Sequence, residues 1–224
     1  MMKPLSYIML TAFMINSASA FAGVVMGGTR IVYPQHSKEV AFSVANKESA
    51  TPYLIQSWVE GDKQTENHAA PFIVTPPLFR LDPDQINTLR IQYTGAPLPT
   101  DRESVFWLDI KAIAPKPKES SNELQINVKS KFKIFYRPEN LKGDAATAWQ
   151  KITFTRTAKG VKATNPTAYY VSFFQLNVAG HNIDQPGMIG PGESREWPVA
   201  GNGSVSWSAI NDFGAITSTH VQPL

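Results

Sequence analysis

Cysteine is absent from the 224 residues. That excludes a disulfide framework and a thiolate metal site. Histidine is scarce: the four residues stand at positions 36, 68, 181 and 220, scattered among turns and a C-terminal strand. No H-E-x-x-H, G-x-S-x-G or P-loop pattern is present. Charge of one sign is lacking too, since 21 basic and 18 acidic residues give a net charge of +3. So even a balance does not argue for nucleic-acid binding. Glycine-rich "GPGES" (Gly190–Ser194) is followed by no helix signal and reads as a β-turn, not a phosphate cradle. The two acids of "DRE" (101–103) read as a solvated turn more readily than as a catalytic pair.

Long apolar runs are missing except at the start. "MMKPLSYIMLTAFMINSASAFA" has an early Lys, an apolar centre and small residues at its end, the pattern of a secretory signal peptide. Cleavage after Ala20 and after Ala22 both fit an A-x-A site, and we favour Ala22. The run is shorter than the roughly 20 residues a membrane span needs. Removing residues 1–22 takes away one Lys and no acid, leaving a net charge of +2.

What the chain does have is β-strand pattern. Seven candidate strands follow the signal: "GTRIVYP", "EVAFSVAN", "YLIQSWVE", "PFIVTPP", "TLRIQYT", "SVFWLDIKAIA" and "NELQINVKSKFKIFYRP". Clusters such as "NKESATP" and "PKPKESSNE" separate them. Seven short strands with Trp58 in the third suggest an immunoglobulin-like sandwich. Pro138 ends the series, because proline has no N–H for a ladder. A second strand series, "KITFTRTA" to "GAITSTHV", is richer in Gly and Asn. The chain is therefore all-β. We divide it into a signal peptide (1–22), an N-terminal sandwich (23–140) and a C-terminal sandwich (141–224).

The last strand of the first series is too long. Leu124, Ile126, Val128, then Ser130, then Phe132, Ile134 and Tyr136 occupy one face; Lys129, Lys131, Lys133 and Phe135 share the other. This period-two alternation lasts about 13 residues, or about 43 Å, against an ordinary strand of about 5–6 residues. Leu124, Ile126 and Val128 would then lack a partner within the domain. On a sheet edge they would offer unpaired backbone and apolar side chains to a partner's strand. An ordinary core strand of overestimated length fits the pattern as well. The lysines fit either protection against edge aggregation or recognition of an anion.

Several motifs, in this order, resemble the PapD-like family, the periplasmic chaperones of the chaperone–usher pilus pathway. They are "GTRIVYP" (Gly28–Pro34), "YLIQSWVE" (Tyr53–Glu60), "FIVTPPLFRL" (Phe72–Leu81), "LPTDRESVFWLDIKAIAP" (Leu98–Pro115), "KFKIFYRP" (Lys131–Pro138), "NPTAYYV" (Asn165–Val171) and "INDFG" (Ile210–Gly214). The resemblance implies two immunoglobulin-like β-sandwich domains in a boomerang arrangement with an interdomain cleft. It implies a non-enzymatic role in the periplasm without cofactor or metal. The expected partners are pilus subunits, both pilins and a tip adhesin, and an outer-membrane usher; the free donor edge is expected to support weak self-association. Leu124, Ile126 and Val128 are implied as the residues donated to a subunit that lacks a strand. Arg30 and Lys133 are implied as the anchor for the subunit's C-terminal carboxylate. Glu103, Arg137 and Asp212 are implied as a structural interdomain ion network. Few residues between Pro115 and Glu123, and no cysteine pair, place the chain with the short-loop branch; Ala168 departs from a frequent proline. The alternative is a structural pilin or adhesin subunit, which would usually carry an N-terminal donor extension and often a disulfide.

Overall fold

The computed structural model describes residues 23–61, 70–116, 126–199 and 203–224. The signal segment with both cleavage sites, and Leu124, lie outside the described residues. The first sandwich is built from β1 (Val24–Met26), β2 (Arg30–Pro34), β3 (Val40–Asn46), β4 (Tyr53–Glu60), β5 (Phe72–Thr75), β6 (Leu78–Leu81), β7 (Ile86–Tyr93), β8 (Ser104–Ile113) and β9 (Val128–Arg137). One sheet has the order β1-β3-β7-β5 and the other β2-β9-β8-β4-β6. Ile31, Tyr33, Val44, Ile55, Leu89, Leu108, Ile110 and Ile134 are among the side chains buried between them.

Among the described residues nine strands stand where the sequence suggested seven, because the chain changes sheets twice. At Gly27–Thr29 it passes from β1 in the four-stranded sheet to β2 in the five-stranded one. Gly27 permits the crossing, since any side chain there would collide with Ser43 Oγ. At Pro76–Pro77, two residues with no ladder N–H, the chain passes from β5 to β6 in the opposite sheet. Trp58 also departs from expectation. It does not fill the core; Ile55 and Ser57 do, and Trp58 points to the outer face, where its Nε1 donates to Glu60 Oε1 at 3.0 Å.

A short helix, α1 (Ala145–Ala148), capped by Asp144 Oδ1 accepting from the Ala146 amide at 2.9 Å, leads into the second sandwich. A 3-10 turn follows over Trp149–Lys151. The strands are β10 (Thr153–Thr157), β11 (Gly160–Thr164), β12 (Val171–Val178), β13 (His181–Asn182), β14 (Met188–Ile189), β15 (Ser194–Trp197), β16 (Ser204–Ala209) and β17 (His220–Pro223). They form sheets β10-β11-β15 and β13-β12-β16-β17, with β14 also on β12. Trp207 is the central buried ring of the second core; its Nε1 donates to the Trp149 carbonyl at 2.9 Å. "GPGES" is a turn, as expected: the Glu193 amide donates to the Gly190 carbonyl at 3.1 Å, and Gly192 takes φ +72°.

Candidate functional site

β9 is the strand on which the site is built. It pairs antiparallel with β8 from Val128 to Tyr136 and parallel with β2 from Lys133 to Arg137. The sheet change at Gly27–Thr29 ends β2 at Arg30. Among the described residues, nothing pairs with Val128 to Phe132 on that side. Half of β9 is therefore an open edge.

The strand is shorter than its pattern suggested. It starts at Val128, because the β8 ladder gives out at the pair Ala112–Val128. Ile126 lies beyond the strand and is 74% exposed; Val128 is 62% exposed. Both share the phase of Ile134 and Tyr136, which are buried in the core, and of Phe132, which packs against it. The apolar row thus runs out of the domain's own core into solvent. Phe135 is the exception on the other face. The alternation put it with the lysines, yet it is only 3% exposed. The second domain covers it there, and Tyr170 lies 5.7 Å from its ring.

That face of β9 carries two groups of cations near the cleft. Arg137 is fully matched. Its Nε donates to Glu103 Oε1 at 2.7 Å, and its Nη1 and Nη2 to the two oxygens of Asp212 at 2.7 and 3.0 Å. Glu103 Oε2 also accepts from the Tyr170 amide at 2.7 Å. Burial pushes the Glu103 carboxyl up, with Arg137 and the Tyr170 amide pulling against it. Burial disfavours the Arg137 charge, but Asp212 and Glu103 more than offset this and raise its pKa. The sequence read "DRE" as a solvated turn; Glu103 is instead 3% exposed and spans the domains.

Asn165 sets the second-domain side of this contact. Its Nδ2 donates to the carbonyls of Tyr169, Ile189 and Gly190, and its Oδ1 accepts from the Thr167 amide and hydroxyl. This presents the Ala168 carbonyl to the Glu103 amide at 2.9 Å. The side chain at 168 takes no part in that bond, so the departure from proline leaves it intact.

Arg30 and Lys133 are the contrasting group. They are Cα partners in the parallel ladder of β2 and β9. Arg30 Nη1 donates to the Ile210 carbonyl at 2.8 Å, and Lys133 Nζ reaches Ser172 Oγ at 3.4 Å. Arg30 Nε is buried without a hydrogen-bond partner. Neither side chain has a carboxylate in salt-bridge reach among the described residues, while Arg137, Lys129 and Lys131 all do. Burial lowers the pKa of both; Lys133 is lowered further by Arg30, whereas Asp212 pulls Arg30 partly back. Two half-buried cations side by side, with a spare donor, are chemically suited to an anion. Ser172 and the Ile210 carbonyl gave no signal in the sequence, because a hydroxyl and a backbone oxygen leave no pattern. Among the described residues no cluster of His, Asp and Glu could hold a metal ion.

Comparisons with known proteins fit this geometry. Residues 23–142 match the family model of the pili and flagellar-assembly chaperone PapD N-terminal domain, and residues 147–221 that of the pili assembly chaperone PapD C-terminal domain. The probable fimbrial chaperone LpfB of Escherichia coli O157:H7 is 40% identical, over 96% of this chain and 94% of its own. The chaperone protein LpfB of Salmonella typhimurium is 41% identical, over 92% and 90%. Among solved structures, the Salmonella enterica SafA pilin–SafB chaperone complex matches with TM-score 0.83 and 31% identity, over 92% of this chain and 99% of that one. The Escherichia coli chaperone DraB matches with TM-score 0.80 and 36% identity, over 90% and 96%. With two sandwich domains, an open-edged β9 and both family models matched, the chain belongs to the PapD-like family of pilus-assembly chaperones.

Proposed function

We propose that this chaperone acts in the periplasm by lending β9 to pilus subunits that lack a strand. It holds them folded and passes them to an outer-membrane usher. One observation carries the reading. The edge of Val128–Phe132 is unpaired among the described residues, and the exposed Ile126 and Val128 continue the inward apolar row. An added subunit strand would use the free backbone groups, and the apolar side chains would enter the subunit's open core. Arg30 and Lys133 would receive the subunit's C-terminal carboxylate. Two charge-assisted bonds there fix the register, and a slip of one residue would turn every donor side chain away from its pocket. Glu103, Arg137 and Asp212 keep the two domains in the relative orientation that forms the cleft. Leu124, which lies outside the described residues, belongs to the donor row in this reading on its sequence alternation alone. A domain boundary near residue 140, removal of residues 1–22 on export, and weak self-association of the free edge belong to the same reading. No step in it requires a cofactor or catalysis.

The test is periplasmic co-expression with a pilin and recovery of the complex. Ile126→Asp, and separately Arg30→Ala with Lys133→Ala, should give folded protein without bound subunit. Wild-type yield of complex from both variants would overturn the reading.

A further inference from the structure

The outer face of β9 holds a second charge cluster that the carboxylate anchor does not use. The ladder registers place it in rows across three strands. Gln56, Lys111 and Lys129 form one row; Trp58, Asp109 and Lys131 the next; Glu60, Trp107 and Lys133 the third. Asp109 is at the centre, with no exposed surface. Lys129 Nζ lies 3.0 Å from Asp109 Oδ1 and 3.7 Å from Glu60 Oε1. Lys131 Nζ donates to Glu60 Oε2 at 2.8 Å and lies 3.8 Å from Asp109 Oδ2. The two ammonium groups also sit over indole rings, Lys129 at 4.9 Å from Trp58 and Lys131 at 5.3 Å from Trp107.

Neither Asp109 oxygen has a well-aligned hydrogen bond. Its charge is balanced by the two β9 lysines, Lys129 being the nearer. Such an arrangement is a poor way to gain stability, since apolar residues of similar size usually do as well. What it supplies is orientation, and orientation is what this half of β9 lacks. Among the described residues, strand 128–132 has no neighbour on one edge, and Val128 on its inner face is largely exposed. The β8 ladder, the outer face and, at its end, the packing of Phe132 against the core hold it. A preformed edge avoids the entropic cost of fixing a loose strand at the moment of binding.

We propose that Asp109 and Glu60 are positioning residues for the open edge. Through Lys129 and Lys131 they hold residues 128–132 extended against β8, ready for an incoming subunit strand. The same pairing uses the nearby acids on Lys129 and Lys131 and leaves Lys133 to the anchor. The inference rests on the reading that a subunit strand adds at this edge, and the experiment separates the two.

Hydrogen exchange of the free protein and the rate of subunit capture are measured for wild type, Asp109→Asn, Glu60→Gln and Ile126→Asp. Asp109→Asn should speed exchange in residues 128–132 about tenfold, the factor that 1.4 kcal/mol makes, and slow capture similarly. Exchange in residues 133–137 should not change. Glu60→Gln should act in the same direction and covers the case in which Asp109→Asn does not fold. If Ile126→Asp loses capture while both acid variants keep wild-type exchange and capture, the positioning role is wrong and the donor-edge reading stands. If Ile126→Asp captures normally, the donor-edge reading fails, and exchange in residues 128–132 alone decides the positioning role. Faster exchange spread across both sheets with a lower melting temperature would mean a bulk stability role and would also overturn the proposal.

Discussion

Lys133 and Arg137 stand four residues apart on the same face of the same strand, and the protein treats them oppositely. Arg137 meets two carboxylates, and one of them, Glu103, is held in turn by the Tyr170 amide of the second domain. Lys133 meets a neighbouring arginine and a distant hydroxyl. A chain folding for its own stability would place an acid beside Lys133, as it did beside Arg137. On the proposed function, the difference separates cations that complete this fold from cations held for another molecule. On that reading the unmatched, half-buried pair costs the free protein stability, and the cost is recovered when an anion arrives.

The largest effect expected from this contrast is at Arg137. Arg137→Met leaves Glu103 buried without its cation and should cost about 3 kcal/mol or more in urea denaturation. A wild-type midpoint combined with lost subunit capture would reverse the roles of the two groups. A smaller effect is expected at the open edge. Val128→Ala removes two carbon atoms from a side chain that is mostly exposed in the free protein. It should weaken subunit affinity by about 1.5 kcal/mol, at about 0.8 kcal/mol per buried carbon, with no change in melting temperature. A melting loss of that size would make Val128 part of the domain's own core.

The smallest effect is a titration. Its hydrogen bond from Lys131, with help from Trp58, lowers the Glu60 carboxyl to about 2 from an ordinary 4.5. Because the folded value is the lower one, its stabilising contribution is present above about 4.5 and is lost as the pH falls towards 2. An NMR titration of Glu60 should show a midpoint near 2, moving back towards 4.5 in Lys131→Met. No movement would remove Lys131 as the partner and weaken the case for an outer-face clamp.

Much of this was legible because strand period and motif order are written locally. Ile126 and Val128 stood out as apolar residues beyond a core's length. Arg30, Lys133, Glu103, Arg137 and Asp212 were named through the family resemblance. What escaped the sequence depends on residues brought together from far apart. Trp58 helped suggest the sandwich, but only the fold shows that it lies on the outer face beneath the Lys129 ammonium. Phe135 looked like a misplaced polar-face residue, because its cover comes from Tyr170 in the other domain. Asp109 lay within an apolar run and gave no hint that two lysines of β9 would enclose it. The two sheet changes were hidden because glycine and paired prolines mark turns in general and do not say which sheet follows.

The central claim, that Lys133 is held for a partner at the free protein's expense, is tested most directly by Lys133→Met. The melting temperature of the free protein and its yield of co-purified subunit are read from the same preparation. The account predicts a protein that melts at or above the wild-type temperature and brings down little or no subunit. A protein that melts several degrees lower, yet still carries subunit at the wild-type yield, would contradict it.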